Sequence, residues 1–221
     1  MNVKEAANQI KKVFKKIWFL LWQDNSIKGW ILSIIFLFVF IEFIFFPFLN
    51  FITGTTLPLA IVESCSMYHE GNVFSNFDIW FNEHQSKYES ININKTEFQS
   101  FVLNKGFDKG DILLLSKANP DKLKIGDIIA FTSGAGGTPV IHRIIKIKEI
   151  DGEKIFSTMG DNNAGQLVPG NNYAGIDERE IKSSQLVGKT VFRIIPKIGW
   201  VKLIFFEGFR AQSERGFCNA N

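Results

Sequence analysis

A mainly β domain behind a single N-terminal membrane anchor is the architecture this sequence predicts, on three observations. One apolar run near the N-terminus is long enough to cross a bilayer. Beyond it, short apolar segments recur between Gly-Asp and Asp-Gly turns, as strands of a sandwich or barrel do. Between anchor and strands, aromatic residues recur at three- and four-residue spacing, which predicts a helical stretch.

The 221 residues suit one anchored domain or two small ones. Residues 1–29 form a basic segment with Lys4, Lys11, Lys12, Lys15, Lys16 and Lys28 against Glu5 and Asp24. Val3 to Trp22 reads as an amphipathic helix on an anionic inner leaflet, or else as a solvated basic extension. The transmembrane signal anchor is placed at 30–52. From Ile31 to Leu49 only Ser33, Glu42 and Pro47 interrupt the apolar run, and such a helix rises roughly 28 Å. The run exceeds the h-region of a cleaved signal peptide. No Lys or Arg follows the span until Lys87, so the N-terminus is expected in the cytoplasm and the rest outside a cell membrane. Glu42 is costly inside lipid if ionised and reads as protonated, snorkelling or in contact with another membrane subunit.

After Thr53-Gly54-Thr55-Thr56-Leu57-Pro58 breaks the helix, Leu59 to Val62 reads as a strand leading into Ser64-Cys65-Ser66-Met67. Phe77, Trp80, Phe81, His84, Tyr88 and Ile91 share one helical face, most simply a packing face. Asn94 to Asn104 predicts a second, shorter helix. Gly110-Asp111-Ile112 and Gly126-Asp127-Ile128 look like two copies of one turn-then-strand element. Gly134 to Gly137 form a glycine loop, and residues 162–176 a polar one. Val140 to Ile150 and Glu153 to Met159 flank Asp151-Gly152, a hairpin signal. Leu186 to Ile195 is a last strand. Residues 200–221 form a membrane-proximal tail, apolar but too interrupted to span.

Net charge is +3, and basic residues beyond the span alternate with acidic ones, which argues against a nucleic-acid partner. His69, His84 and His142 form no cluster, and no metal-ligand spacing is present. Cys65 and Cys218 do not make a disulfide framework.

Three features beyond the span belong together chemically. Ser66 supplies a hydroxyl, His142 an imidazole as base, and Asp161 a carboxylate to orient the base. If Asp151 and Gly152 are the turn, Ile150 faces Glu153, Glu149 faces Lys154, Ile147 faces Phe156 and His142 faces Asp161. Cβ atoms of such a pair stand about 4.5–5.5 Å apart, and a single bulge would undo the pairing. The Ser66 N–H and the Ser64 hydroxyl are candidate oxyanion donors. Taken singly, His142 reads as a structural strand histidine and Asp161 as a turn residue. A Cys65 thiol enzyme and a Ser–Lys pair using Lys146 are the competing chemistries. Lys146 would sit about 13 Å along the strand from His142.

The motifs Ser64-Cys65-Ser66-Met67, Lys109-Gly110-Asp111-Ile112, Gly126 to Phe131, Ile141-His142-Arg143-Ile144-Ile145 and Gly160-Asp161-Asn162-Asn163 resemble those of type I signal peptidases. So does Val187-Gly188-Lys189-Thr190-Val191 before Ile195-Pro196. Histidine at 142, where the bacterial branch has lysine, resembles the archaeal and endoplasmic-reticulum branch. The resemblance implies an all-β, partly barrel-like catalytic domain over 53–199. It makes Ser66 the nucleophile, His142 the base, Asp161 its partner and Ser64 an oxyanion-hole residue. It implies removal of signal peptides from secretory preproteins after small residues at −1 and −3, without cofactor, with membrane lipid and other membrane subunits as partners. Tyr68-His69 stands where relatives commonly carry proline. Residues 70–107 form a helical insertion. The second acidic residue expected after Gly-Asp-Asn has Asp177 as its nearest candidate, left unassigned. The rival class is a membrane-anchored binding or assembly module that has lost catalysis on the same fold.

Overall fold

The computed structural model describes residues 3–70, 77–133, 137–170 and 175–218. Met1 and Asn2, 71–76 of the expected insertion, Gly134 to Gly136 of the glycine loop, 171–174 of the polar loop and 219–221 of the tail lie outside the described residues. The chain divides into two units, Met1–Ile52 and Thr53–Asn221.

The first unit is helical. Helix α1 (Val3–Trp22) ends before Ser26, whose hydroxyl accepts the Gly29 amide and caps α2 (Ile27–Phe40). Gly29 is required by close approach, because a Cβ there would meet the Asp24 carbonyl at 2.6 Å. A π turn, Ile41–Phe45, joins α2 to α3 (Phe46–Thr53). Pro47 explains the π turn: it has no N–H and its ring crowds the preceding turn, so the Phe46 N–H reaches back five residues to Ile41. Glu42 lies in this π turn. The three segments make one helix, Ile27–Thr53, of 27 residues, long and apolar enough to cross a membrane and with none of its most apolar window buried.

The second unit is a curled antiparallel sheet of seven strands. They are β1 (Leu59–Ile61), β2 (Ile112–Ser116), β3 (Ile128–Phe131), β4 (Val140–Ile150), β5 (Glu153–Met159), β6 (Ile181–Lys182) and β7 (Leu186–Ile195), in spatial order β1-β2-β7-β3-β4-β5-β6. The repeated Gly-Asp element is a repeated turn. Gly110 and Gly126 have φ +88° and +90°, and the carboxylates of Asp111 and Asp127 accept the amides of Asp108 and Lys124. The two-residue strand β6 had no signal of its own in the sequence.

Helices α4 (Phe77–Glu89) and α5 (Lys95–Gln99) lie between β1 and β2 in sequence. Trp80, Phe81, Tyr88, Ile93 and Phe98 bury themselves against Ile145 of β4 and Met159 of β5, so the aromatic stripe is a packing face. Each such buried ring contributes roughly 1.5–3 kcal/mol of apolar transfer. The second helix is shorter than expected. Leu103 turns to φ +48°, the Val102 carbonyl accepts a hydrogen bond from Arg143, and the Leu103 carbonyl accepts from both Arg143 and the Gly106 amide.

The hairpin keeps its expected register from Ile150↔Glu153 to Lys146↔Ser157. It then shifts: Ile144 pairs with Thr158 and Arg143 with Met159, leaving Ile145 as a bulge residue. Ile144 packs with Ile129, Phe131 and Phe156, while Ile145 enters the aromatic cluster. Burial of both isoleucines accounts for the bulge.

Candidate active site

The serine turn follows β1 directly. Met67 is fully buried among Val62, Phe107, Leu113 and Ile128, which pins the turn to the sheet. Ser64 is exposed and Ser66 half-buried, with their Oγ atoms 3.1 Å apart. The turn after β5 lies against this loop. Asn162 N–H donates to the Ser66 carbonyl at 2.8 Å, and the Asn162 side chain donates to the Cys65 carbonyl at 3.1 Å. Gly160 is needed there, since a Cβ would meet the Ser66 carbonyl at 2.8 Å.

His142 lies on β4, paired with Ile129 of β3 and 3% exposed. The bulge at Ile145 changes its cross-strand neighbour. One further step along the Arg143↔Met159 register sets Gly160, not Asp161, opposite His142. The Ser66 carbonyl packs on Gly160, the residue that follows the last paired position of β5.

The expected His142–Asp161 pair is replaced by another. His142 Nδ1 is 2.6 Å from Glu178 Oε1. Glu178 is fully buried, and it also accepts the Thr158 hydroxyl at 2.8 Å and the Leu167 amide at 2.7 Å. A carboxylate held by two other donors accepts the Nδ1–H, which leaves Nε2 as the ring nitrogen able to take a proton. Asp177, the nearest acid in the sequence reading, instead binds the Arg179 guanidinium, with Nε to Oδ1 at 2.7 Å. Parity separates the two acids. Ile176 and Glu178 are both buried, and Asp177 between them is partly exposed. The buried apolar residue two positions before Glu178 was the available signal.

Asp161 serves a different network. Arg143 grips it bidentately, Nε to Oδ1 at 3.0 Å and Nη2 to Oδ2 at 2.7 Å. Tyr88 donates to Oδ1 at 3.1 Å, and His69 Nε2 lies 3.0 Å from Oδ2. The other Arg143 donors reach the carbonyls of Val102, Leu103 and Gly126. Lys87 Nζ donates to the carbonyls of Asp161 at 2.6 Å and Asn163 at 2.9 Å. Such saturation is what a buried ion pair requires to offset its desolvation. Burial alone would raise the Asp161 pKa, but the Arg143 charge and the hydrogen bonds from His69 and Arg143 outweigh it and hold the carboxyl far below its usual range. Burial lowers the pKa of His69, which stacks on Trp80 with ring centroids 3.4 Å apart. Burial also lowers that of Lys87 to about 8, against the pull of Asp161. This network escaped the sequence reading because its members come from four separate segments.

Cys65 and Cys218 are joined in a disulfide. Cys65 therefore carries no thiol, which removes the thiol-enzyme alternative. Lys146, on the far side of the bulge from His142, pairs in register with Ser157. Among the described residues no group of His, Cys, Asp and Glu is arranged to hold a metal ion.

Comparison with known proteins places this geometry in context. No protein-family model matches the chain. It is 34% identical over 102 residues to the signal peptidase complex catalytic subunit SEC11 of Lachancea thermotolerans, covering 44% of this chain and 56% of that one. It is 31% identical over 103 residues to the human signal peptidase complex catalytic subunit SEC11C, covering 44% and 50%. A third relative, SEC11 of Zygosaccharomyces rouxii, is 30% identical over 98 residues. The chain thus spans about half the length of the curated relatives it matches, and over that part its likeness is to catalytic subunits of signal peptidase complexes.

Proposed function

We propose that the protein is a membrane-anchored serine endopeptidase that removes signal peptides from secretory preproteins. What supports this reading is the buried His142–Glu178 pair, together with a serine turn that packs on Gly160 just beyond the β4–β5 ladder and the likeness to SEC11 catalytic subunits. Ser66 is the nucleophile, activated when His142 Nε2 takes its proton. Glu178 fixes the tautomer and stabilises the imidazolium as the tetrahedral intermediate forms. The Ser66 N–H and the Ser64 hydroxyl, whose oxygen lies 3.1 Å from that of Ser66, receive the oxyanion. His142 then returns the proton to the leaving amine, and water attacks the acyl-enzyme by the same route in reverse. Asp161 holds the turn that supports Ser66 and takes no proton in this scheme. Cleavage after small residues at −1 and −3 follows the likeness to SEC11.

The helix Ile27–Thr53 is the one candidate span among the described residues and serves as the anchor, with the basic N-terminal segment cytoplasmic and the β domain outside. The Cys65–Cys218 disulfide fits that placement, because such bonds persist in oxidising compartments. The relatives are named as subunits of a complex, so other membrane subunits are proposed partners, with Glu42 a candidate contact.

The test is cleavage of a preprotein by the purified full chain in detergent. Ser66→Ala and His142→Ala are each expected to lower turnover at least ~10³-fold. Undiminished cleavage by either variant would overturn the roles of Ser66 and His142, and absence of cleavage by the wild-type chain would leave a non-catalytic binding module as the better account.

A further inference from the structure

We infer that the C-terminal segment 207–218 is a clamp that positions the serine turn, with Cys218 and Arg210 as its positioning residues. The inference rests on the reading of Ser66 as nucleophile.

The turn is held on one side by Asn162 and Met67, as described above. Its other side is held from the C-terminal segment. Cys218 is bonded to Cys65, the residue between the two serines, and is itself buried at 8% exposure. Arg210 Nη1 donates to the Glu63 carbonyl at 3.0 Å, and its Nη2 pairs with the Glu63 carboxylate. The two attachments therefore fall on Glu63 and Cys65, on either side of Ser64.

The segment is itself fastened to the sheet. The fully buried Lys109, just before β2, binds Glu207 Oε1 at 2.8 Å and the Glu214 carbonyl at 2.7 Å. Glu207 also accepts the Gly216 amide at 2.7 Å. Trp200 donates its indole N–H to the Lys109 carbonyl at 2.9 Å and packs on Phe217, ring centroids 4.6 Å apart. Lys109 thus links the segment to the strand system, and the segment links to the turn through an ion pair and a covalent bond.

The physical consequence is geometric. Ser64 is exposed, so solvent offers its turn no fixed walls. A nucleophile misplaced by about 1 Å can lose about 10²-fold in rate without loss of substrate affinity. Release of the clamp should therefore lower kcat and leave KM nearly unchanged.

The experiment uses the full chain in detergent with a preprotein substrate. It compares wild type, wild type reduced with a phosphine, Cys218→Ser, Cys65→Ser/Cys218→Ser, Arg210→Ala and Arg210→Lys. Reduction and both cysteine changes should lower kcat about tenfold or more and leave KM within about twofold. The double change should be no worse than the single. Arg210→Ala should fall several-fold, and Arg210→Lys should recover part of the loss. Near-ultraviolet circular dichroism of each sample reports whether the domain stays folded; if Cys218→Ser does not fold, reduction of the folded wild type carries the test. Wild-type kinetics after reduction, a change confined to KM, or loss of the whole fold on reduction would each overturn the clamp. Cleavage that survives Ser66→Ala would instead remove the reading beneath it, so the two failures are distinguishable.

Discussion

His142 and Glu178, 36 residues apart in sequence, are joined by a 2.6 Å contact between Nδ1 and Oε1. That contact fixes the acceptor face of the imidazole, and it exists because a bulge at Ile145 removes Asp161 from the position opposite His142.

Glu178→Gln keeps the shape of the side chain but can present an N–H to Nδ1, which favours the wrong tautomer. Turnover should fall by about 10²–10⁴-fold. Asp177→Asn, which touches only the exposed Arg179 pair, should cleave within about twofold of wild type. Parallel kinetics of the two variants decide it; equal losses would remove Glu178 from its proposed role.

Gly160→Ala drives a methyl group into the Ser66 carbonyl at 2.8 Å, where backbone rather than a flexible side chain must move. A tenfold or larger fall in kcat is expected, on the scale of about 10²-fold per ångström of misplacement. Gly165→Ala meets nothing within 4 Å and is the control. Matching activities would show that the turn has slack the packing does not suggest.

Asp161→Ala leaves the fully buried Arg143 guanidinium without its counter-charge. Loss of one partner of a buried pair costs about 3–5 kcal/mol. Urea unfolding of the variant should show it as a lower midpoint with an unchanged slope. A loss below about 1 kcal/mol would mean that the network contributes little to stability.

Stability should also follow pH through the same network. His69 and Asp161 both have folded-state pKa values below their unfolded ones, so on acidification the unfolded chain takes up protons first. The His69 contribution is full above about pH 6.5 and is lost as pH falls below it. The Asp161 contribution is lost below about pH 4. Lys87, lowered to about 8, acts in the same direction at the alkaline end: its buried charge is relieved between about pH 8 and 10.5, where the unfolded chain still holds the proton. Denaturation midpoints should therefore fall from pH 7 to 5, and His69→Gln should flatten that part of the curve. A flat wild-type profile there would contradict the assignment.

Much of the architecture was legible because its causes are local. The apolar run announced Ile27–Thr53, and period-two patterning with Gly-Asp and Asp-Gly turns announced β2 to β5 and β7. Those signals depend on neighbours a few residues away, and the strand limits of the hairpin, Val140–Ile150 and Glu153–Met159, emerged as expected. Ser66 and His142 stood out because their residue types and order matched a known chemistry.

The partner of His142 was not legible in that way. Hairpin arithmetic holds only while the ladder is regular, and Ile145 leaves the ladder because the aromatic face of α4 and α5 gives it a place to be buried. That single displaced residue passes Asp161 to Arg143 and opens His142 to Glu178. The Cys65–Cys218 bond, spanning 153 residues, was equally beyond reach of spacing alone. Local patterning decided where strands and turns lie; which side chains meet was set by long-range packing, since apolar burial at one bulge outweighs the regularity of a ladder.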